Sequence, residues 1–439
     1  MRRTLRCALI TYVLTAASSR AIANGRYPAA GQLVIDPADA AHIVVRTTFG
    51  LLQTFDSGAT WSWICEQAVS PDGFQDPEII VTTGGRTAVG LADGLAVGDR
   101  DGCDWTRAPG LQNTAVIDLV ESRVDSRVAY AASVVQVNGA FNGLVAGTTD
   151  GVSWATKGAL IPDTYPLTIE TAPSRPERLY LGADDGNLEN GFMAVSDDSG
   201  MTWNIRPAPA GVDGVYVSAV DPKEADRVYV RSFSPGHGLY VSEDGARTWT
   251  LIDDSPVPLT GFALSPDGQQ IAVGGSGGLE ILTRSTTGGD STFSVTMTNP
   301  LPVSCLTWTL DGLFACADET SAGFSVGVST DGARTFSPLL HFADLRLLSC
   351  NGGSSATTCS TVWCATATII AASCAATTDG GSDAEDDTRR VFDSAGTGCA
   401  CDEGGQSPST FLVSIAVAAV TFRRRASRRR DAPCSGRGR

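Results

Sequence analysis

The sequence predicts an all-β fold, a seven-bladed β-propeller built of four-stranded antiparallel blades. Two observations carry this. A short phrase ending in an aromatic residue recurs at Trp61, Trp105, Trp154, Trp203, Trp249, Phe293 and Phe336, at intervals of 44, 49, 49, 46, 44 and 43 residues. Ahead of each aromatic stands a Gly-plus-apolar pair, from Gly50-Leu51 to Gly323-Phe324, usually after a β-branched run such as "HIVVRTT", "RLYLGAD" or "RVYVRSF". Four short strands per period, parted by Gly, Pro and Asp turns, form the pattern of one blade. No helical periodicity interrupts it, and seven periods fit within residues 24–343.

The phrase is fullest as "TFDSGATW" (54–61), "SDDSGMTW" (196–203), "SEDGARTW" (242–249) and "STDGARTF" (329–336). "GDRDGCDW" (98–105) and "TTDGVSW" (148–154) are reduced copies, and "STTGGDSTF" (285–293) is the weakest. An Asp side chain in a tight turn accepts backbone N–H bonds, and Gly supplies the positive φ that a β-carbon penalises. Thr bonds back across the hairpin, while Trp buries its ring between blade layers. These residues resemble the Asp-box, Ser-x-Asp-x-Gly-x-Thr-Trp, of sialidases and other propellers. The resemblance implies a turn between third and fourth strands, at the rim and away from the functional face. Asp56, Gly58, Trp61, Trp105, Asp150, Trp154, Asp198, Gly200, Trp203, Asp244, Trp249, Asp331 and Phe336 are accordingly expected to fasten the fold rather than perform chemistry.

Both ends of the chain point to export. Arg2, Arg3 and Arg6 precede the apolar stretch 7–17, and Ala21-Ile22-Ala23 offers a small-x-small cleavage site, which together make a signal peptide over 1–23. The opposite end carries an acidic, Gly-rich stretch at 376–398, expected to act as a flexible stalk. Gly398-Cys399-Ala400-Cys401 follows, then an apolar helix expected over 409–422, six arginines within eight residues, and a disordered tail at 431–439. Cys motif, short helix and Arg cluster resemble the MYXO-CTERM type of bacterial sorting signal, with Cys399 and Cys401 at the processing point. That resemblance implies an anchor that is transient; a plain C-terminal membrane anchor is the alternative.

Residues 1–23 carry +4 and residues 399–439 carry +5 of the net −16, which leaves −25 on residues 24–398. A surface this acidic repels phosphate backbones and excludes nucleic acid as a partner. Eight cysteines fall between the ends: Cys65, Cys103, Cys305, Cys316, Cys350, Cys359, Cys364 and Cys374. An even number in an exported chain predicts disulfides, with 105 possible pairings. Cys305 and Cys316 flank a hairpin at Asp311-Gly312 and are the first candidate pair. The segment 344–375 holds the last four as closing strands or a small stapled cap. His42, His237 and His341 are scattered and no zinc-type Cys/His spacing occurs, so neither a metal nor a cofactor is expected.

A ligand face is expected from the second-to-third-strand loops and the blade-to-blade segments. The loops 134–142, 183–190, 232–237 and 317–322 bring forward Asn138, Phe141, Asp184, Asp185, Asn187, Phe233, His237, Asp318 and Glu319. Aromatics among amides and carboxylates suit a glycan or peptide. Gly-rich stretches such as "VGGSGGLEI" are read as strand turns, and neither a serine or cysteine hydrolase set nor a Walker loop is expected. Arg26-Tyr27-Pro28 only partly echoes the Arg-Ile-Pro of sialidases, which have six blades. Seven-bladed Asp-box propellers resemble this chain in xyloglucanase-like hydrolases, which usually pair two propellers, and in photosystem assembly factors. A sortilin-like receptor would need a larger ring. The expectation is an exported, monomeric, non-catalytic binding or scaffold module at the cell surface, with a glycoside hydrolase as alternative, using a pair of carboxylates on the loop face. Mass spectrometry of the exported protein should give Asn24 as the first residue and a last residue near Cys399–Cys401. A product retaining Arg439 would identify a plain anchor instead.

Overall fold

The computed structural model describes residues 27–374, apart from 71–75, 188, 235 and 288–289. The chain divides into two compact units, Met1–Asp379 and Gly380–Arg439. The second unit lies outside the described residues, as do the expected signal peptide, the stalk, and the sorting tail with Cys399 and Cys401.

Seven four-stranded antiparallel blades follow one another along the chain, each a contiguous stretch of sequence, and the sheet of the first gains a fifth strand from beyond the seventh blade. Blade 1 comprises Ala30–Asp36, Asp39–Thr47, Gly50–Thr54 and Ser62–Ile64. Blades 2 to 7 span 79–107, 115–161, 165–207, 214–255, 259–299 and 305–340. The first strands of neighbouring blades meet all the way round, including the last with the first, and so form an inner ring. Burial follows from that arrangement. Third strands such as Gly50–Thr54 and Gly94–Gly98 are buried at every residue, because both faces meet a neighbouring blade. Fourth strands such as Asn204–Pro207 stand at the rim and are largely exposed. Gly182 marks how tightly blades approach: a β-carbon there would lie 2.3 Å from the Val215 carbonyl oxygen of the next blade.

Side chains stitch the inner ring to the backbone of the following blade. Gln32 brackets Ile79 with bonds of 2.9 and 3.0 Å, and Asp118 accepts from the Ile169 N–H at 2.6 Å. Thr168 accepts from Val217, Arg231 donates to Leu259, Thr260 donates to Val303, and Thr307 returns to Leu33 of blade 1. Between blades 2 and 3 the junction is apolar instead, with Val116 packed against Gly90.

The ring closes without exchanging strands between blades 7 and 1. Ser304 donates to the Ala30 carbonyl at 2.7 Å, and the Trp61 indole donates to the Leu339 carbonyl at 3.1 Å. One continuous core joins Leu33, Val45, Trp61 and Trp63 to Phe314, Val326, Leu340 and Phe342. Beyond blade 7 the chain runs back over blade 1. Arg346–Leu347 pairs in parallel with Ser62–Trp63, and a helix over Ser355–Ile369 packs Cys359, Val362, Trp363 and Ala367 inward. The segment expected as closing strands or a cap is therefore a two-residue strand and a helix. Its buried positions recur at helical spacing, and that packing overrides the β propensity of its Thr and Val residues.

All eight cysteines are bonded, as Cys65–Cys359, Cys103–Cys350, Cys305–Cys316 and Cys364–Cys374. The third is the pair singled out by its hairpin; its cysteines face each other across adjacent strands. The first two tie the returning segment to blades 1 and 2 across 294 and 247 residues. Cross-links that close such long loops remove much entropy from the unfolded chain. Replacing Cys65 and Cys359 together by Ala should lower the unfolding free energy by about 2–5 kcal/mol, read as an earlier guanidinium midpoint. The same change at Cys364 and Cys374, which enclose only 10 residues, should cost less.

Candidate functional site

Strands alternate direction, so the second-to-third-strand loops and the third-to-fourth-strand turns lie at opposite ends of every blade. The phrase turns occupy the second end. In four of them the Asp carboxylate accepts the backbone N–H and the hydroxyl of the Thr four residues on: Asp56 from Thr60, Asp198 from Thr202, Asp244 from Thr248 and Asp331 from Thr335, at 2.6–3.0 Å. Asp150 accepts instead from the N–H groups of Val152 and Ser153. Those bonds favour the charged form. The Thr335 N–H, followed by the hydroxyls of Thr335 and Ser329, holds Asp331 down at about 2. Two successive residues adopt positive φ in these turns, Ser57 and Gly58 in the first and Gly245 and Ala246 in the fifth, so a non-glycine shares the strain.

The aromatics of the phrase differ in use. Trp61, Trp105 and Trp203 donate to the carbonyl of the Gly three residues back, Gly58, Gly102 and Gly200. Trp249 donates to Pro207 of the neighbouring blade, and Trp154 is buried against blade 2. Phe336 packs on Phe324. Phe293 sits inside a long hairpin, Gly278–Thr287 with Asp290–Asn299, so the sixth blade keeps the spacing but not the phrase turn.

At the loop end, the nine expected ligand-face residues are spread over blades 3, 4, 5 and 7. Asn138 is exposed on a two-residue turn, at φ 52°. Asp185 binds the Asn187 N–H and the Asn190 amide at 3.0 and 2.6 Å, a bond set internal to its loop. Asp318 caps a short helix over Glu319–Ala322, and Glu319 accepts from Ser325 and from the Phe342 N–H. These last two belong to blade 7, two blades removed from blade 4. Phe233 is the penultimate residue of the strand Val228–Ser234, and His237 opens the third strand of blade 5 half-buried. Gly274-Gly275-Ser276-Gly277-Gly278 satisfies the letter of a nucleophile elbow. Ser276, however, lies at a β-hairpin tip rather than on a strand-to-helix turn.

Phe141 and Asp184 do come together, with residues that the loops did not reveal. The Phe141 ring meets Tyr165 edge-on at 5.4 Å. Asp184 is fully buried opposite Tyr165 in strand register, and its charge raises the Tyr165 hydroxyl pKa, after burial itself. Tyr216 of blade 5 stands opposite Arg231, and its hydroxyl feels Arg231, Glu78, Asp184 and Tyr165. The mouth of the inner ring between blades 2 and 5 thus holds three half-buried aromatic rings with the half-buried Glu78 and Arg231, while Asp184 is closed off from solvent behind Tyr165. Burial lowers Arg231 to about 10, with Tyr216 and Glu78 opposing the fall.

Deeper in the ring lie Asp118 and Glu170. Burial, then the charges of Glu78 and Glu170, lift Asp118 well above the carboxylate range, against the bond from Ile169. Burial lifts Glu170 to about 7, with Glu121 adding to the rise and Arg123 opposing it. The readable signal for both was a carboxylate inside an apolar first-strand run, "AVIDLVE" and "YPLTIET". Among the described residues no group of three or more His, Cys, Asp or Glu is placed to hold a metal ion.

No family model matches the chain. Over 97 residues it is 36% identical to an oligoxyloglucan-reducing end-specific xyloglucanase of Emericella nidulans, a match covering 20% of this chain and 12% of that enzyme. Over 89 residues it is 32% identical to a probable enzyme of the same description from Neosartorya fischeri, covering 19% and 10%. The chain therefore matches only about a tenth of the length of each relative. Among solved structures it resembles an ancestral GH74 enzyme, with a TM-score of 0.55 and 13% identity, covering 71% of this chain and 46% of that one. Hydrazine synthase of Kuenenia stuttgartiensis resembles it with a TM-score of 0.51 and 12% identity, covering 70% and 99%. These likenesses establish the fold alone, a seven-bladed propeller.

A pH dependence follows from Glu170. With a folded-state pKa above the ordinary 4.5, the native protein keeps a proton that the unfolded chain has released, so stability falls as pH rises from 4.5 to about 7. Glu170→Gln should raise the thermal midpoint at pH 8 and leave it little changed at pH 4.

Proposed function

We propose that this is an exported, surface-held glycan-binding propeller that grips a polysaccharide at the ring mouth between blades 2 and 5. The carrying observation is the grouping of Phe141, Tyr165 and Tyr216 with Glu78 and Arg231. Sugar rings stack their C–H faces on aromatic surfaces, and carboxylates with a guanidinium hydrogen-bond the hydroxyls. The segments shared with two enzymes named for xyloglucan support a β-glucan with short branches as the ligand. The C-terminal tail would hold the propeller at the cell envelope.

A second reading, glycoside hydrolysis, is favoured by one observation, the raised acids Asp118 and Glu170. A carboxyl group that keeps its proton near neutral pH is suited to act as a general acid. Against it, Asp118 spends an oxygen on the Ile169 N–H, and both acids sit on the inner strands that hold the blades together.

Calorimetric titration with xyloglucan oligosaccharides decides between the readings when paired with an assay for new reducing ends. Binding without release supports the proposal, and Tyr165→Ala should then weaken it about tenfold, near 1.4 kcal/mol. Absence of binding overturns it. Release of new ends that Glu170→Gln abolishes would establish the hydrolase.

A further inference from the structure

A separate cavity lies at the seam of the ring, where the first phrase turn, blade 7 and the returning segment converge. Its volume is about 240 Å³, and its lining includes Thr60, Trp61, Leu339, His341, Asp344 and Arg346. Trp61 and Leu339 form a rigid apolar floor. The Trp61 indole is buried and held by two carbonyls, those of Gly58 and Leu339, both at 3.1 Å. Gly58 at φ 93° packs so closely that a β-carbon would lie 2.5 Å from Leu339. Backbone bonds fix the rim as well, from Arg346 N–H to the Trp61 carbonyl and from Asp344 N–H to that of His341.

The polar ends round this floor are uncommitted. Asp344 and Arg346 are exposed, and neither side chain makes a hydrogen bond or ion pair among the described residues. His341 turns Nδ1 towards Glu319 at 3.5 Å, which leaves Nε2 on its other side. A two-oxygen acceptor, a planar donor fork and an imidazole beside an apolar floor match the hydroxyls of a vicinal diol, since each hydroxyl both donates and accepts. The volume suits one sugar ring rather than a drug-sized ligand.

We infer that this seam cavity is a binding site for a single neutral pyranose ring, recognised through a vicinal diol by Asp344 and Arg346. It stands independently of the mouth, with which it shares no lining residue. Because the ligand would touch blade 1, blade 7 and the returning segment together, binding also favours the closed ring.

The test is an NMR titration of the whole protein with methyl β-D-glucopyranoside, following the Trp61 indole N–H, with tetrahydropyran as the diol-free control. The expected result is a saturable shift of the Trp61 signal with the glycoside alone, weakened about tenfold in Arg346→Ala and in Asp344→Ala, the loss of about one charge-assisted bond. Both side chains are exposed, so both variants should keep the wild-type melting temperature, measured alongside. A Trp61 signal that stays still up to the solubility limit overturns the site. So does a shift of equal affinity in the two variants, or one that tetrahydropyran reproduces.

Discussion

A blade of four strands has two apolar faces and covers neither of them by itself, so each sheet in this ring depends on two neighbours. Six of the seven junctions form along the chain in sequence order; the seventh must bring residue 30 to residue 305. That last junction is held by hydrogen bonds from Ser304 and Thr307, by the doubly held Trp61 indole, and by a core running from Leu33 to Phe342. The returning segment then lies over blade 1, with two disulfides fixing it to blades 1 and 2. A net −25 on residues 24–398 pushes the ring apart. The cross-links at the seam oppose that repulsion.

The same carboxylate chemistry takes opposite forms at the phrase turns and on the inner strands. On the turn side, Asp331 is ringed by N–H and O–H donors that stabilise its charge, and it stays ionised down to about pH 2. On the inner strands, Glu170 has lost water without gaining comparable donors, and it holds a proton up to about pH 7. Solvation and hydrogen bonding, rather than residue identity, separate a fastener from an acid of chemical interest. The phrase that stands out in the sequence therefore lies away from the mouth, while the grouped aromatics and acids come from strands that look unremarked in sequence.

That contrast explains what the sequence made legible. Seven regular periods and uninterrupted apolar runs are direct consequences of blades buried on both faces, so fold and blade boundaries could be read from them. Phe141 and Asp184 stand out in the sequence because they flank a loop. Tyr165, Tyr216, Glu78 and Arg231 do not, because only the closure of the ring brings four blades together at the proposed mouth. The helix over Ser355–Ile369 was missed since its Thr and Val content reads as strand, although Cys359, Val362, Trp363 and Ala367 keep helical spacing. Blade 6 retained the interval while replacing the turn with a long hairpin, and a spacing rule cannot register that change.

The most direct measurement is a crystal structure of the protein soaked with a xyloglucan oligosaccharide. The account predicts an intact sugar chain lying at the mouth, with one ring against Tyr165 or Tyr216 and hydroxyls within reach of Arg231 and Glu78. Density confined to other surfaces, or a cleaved product beside Asp118 and Glu170, would contradict it.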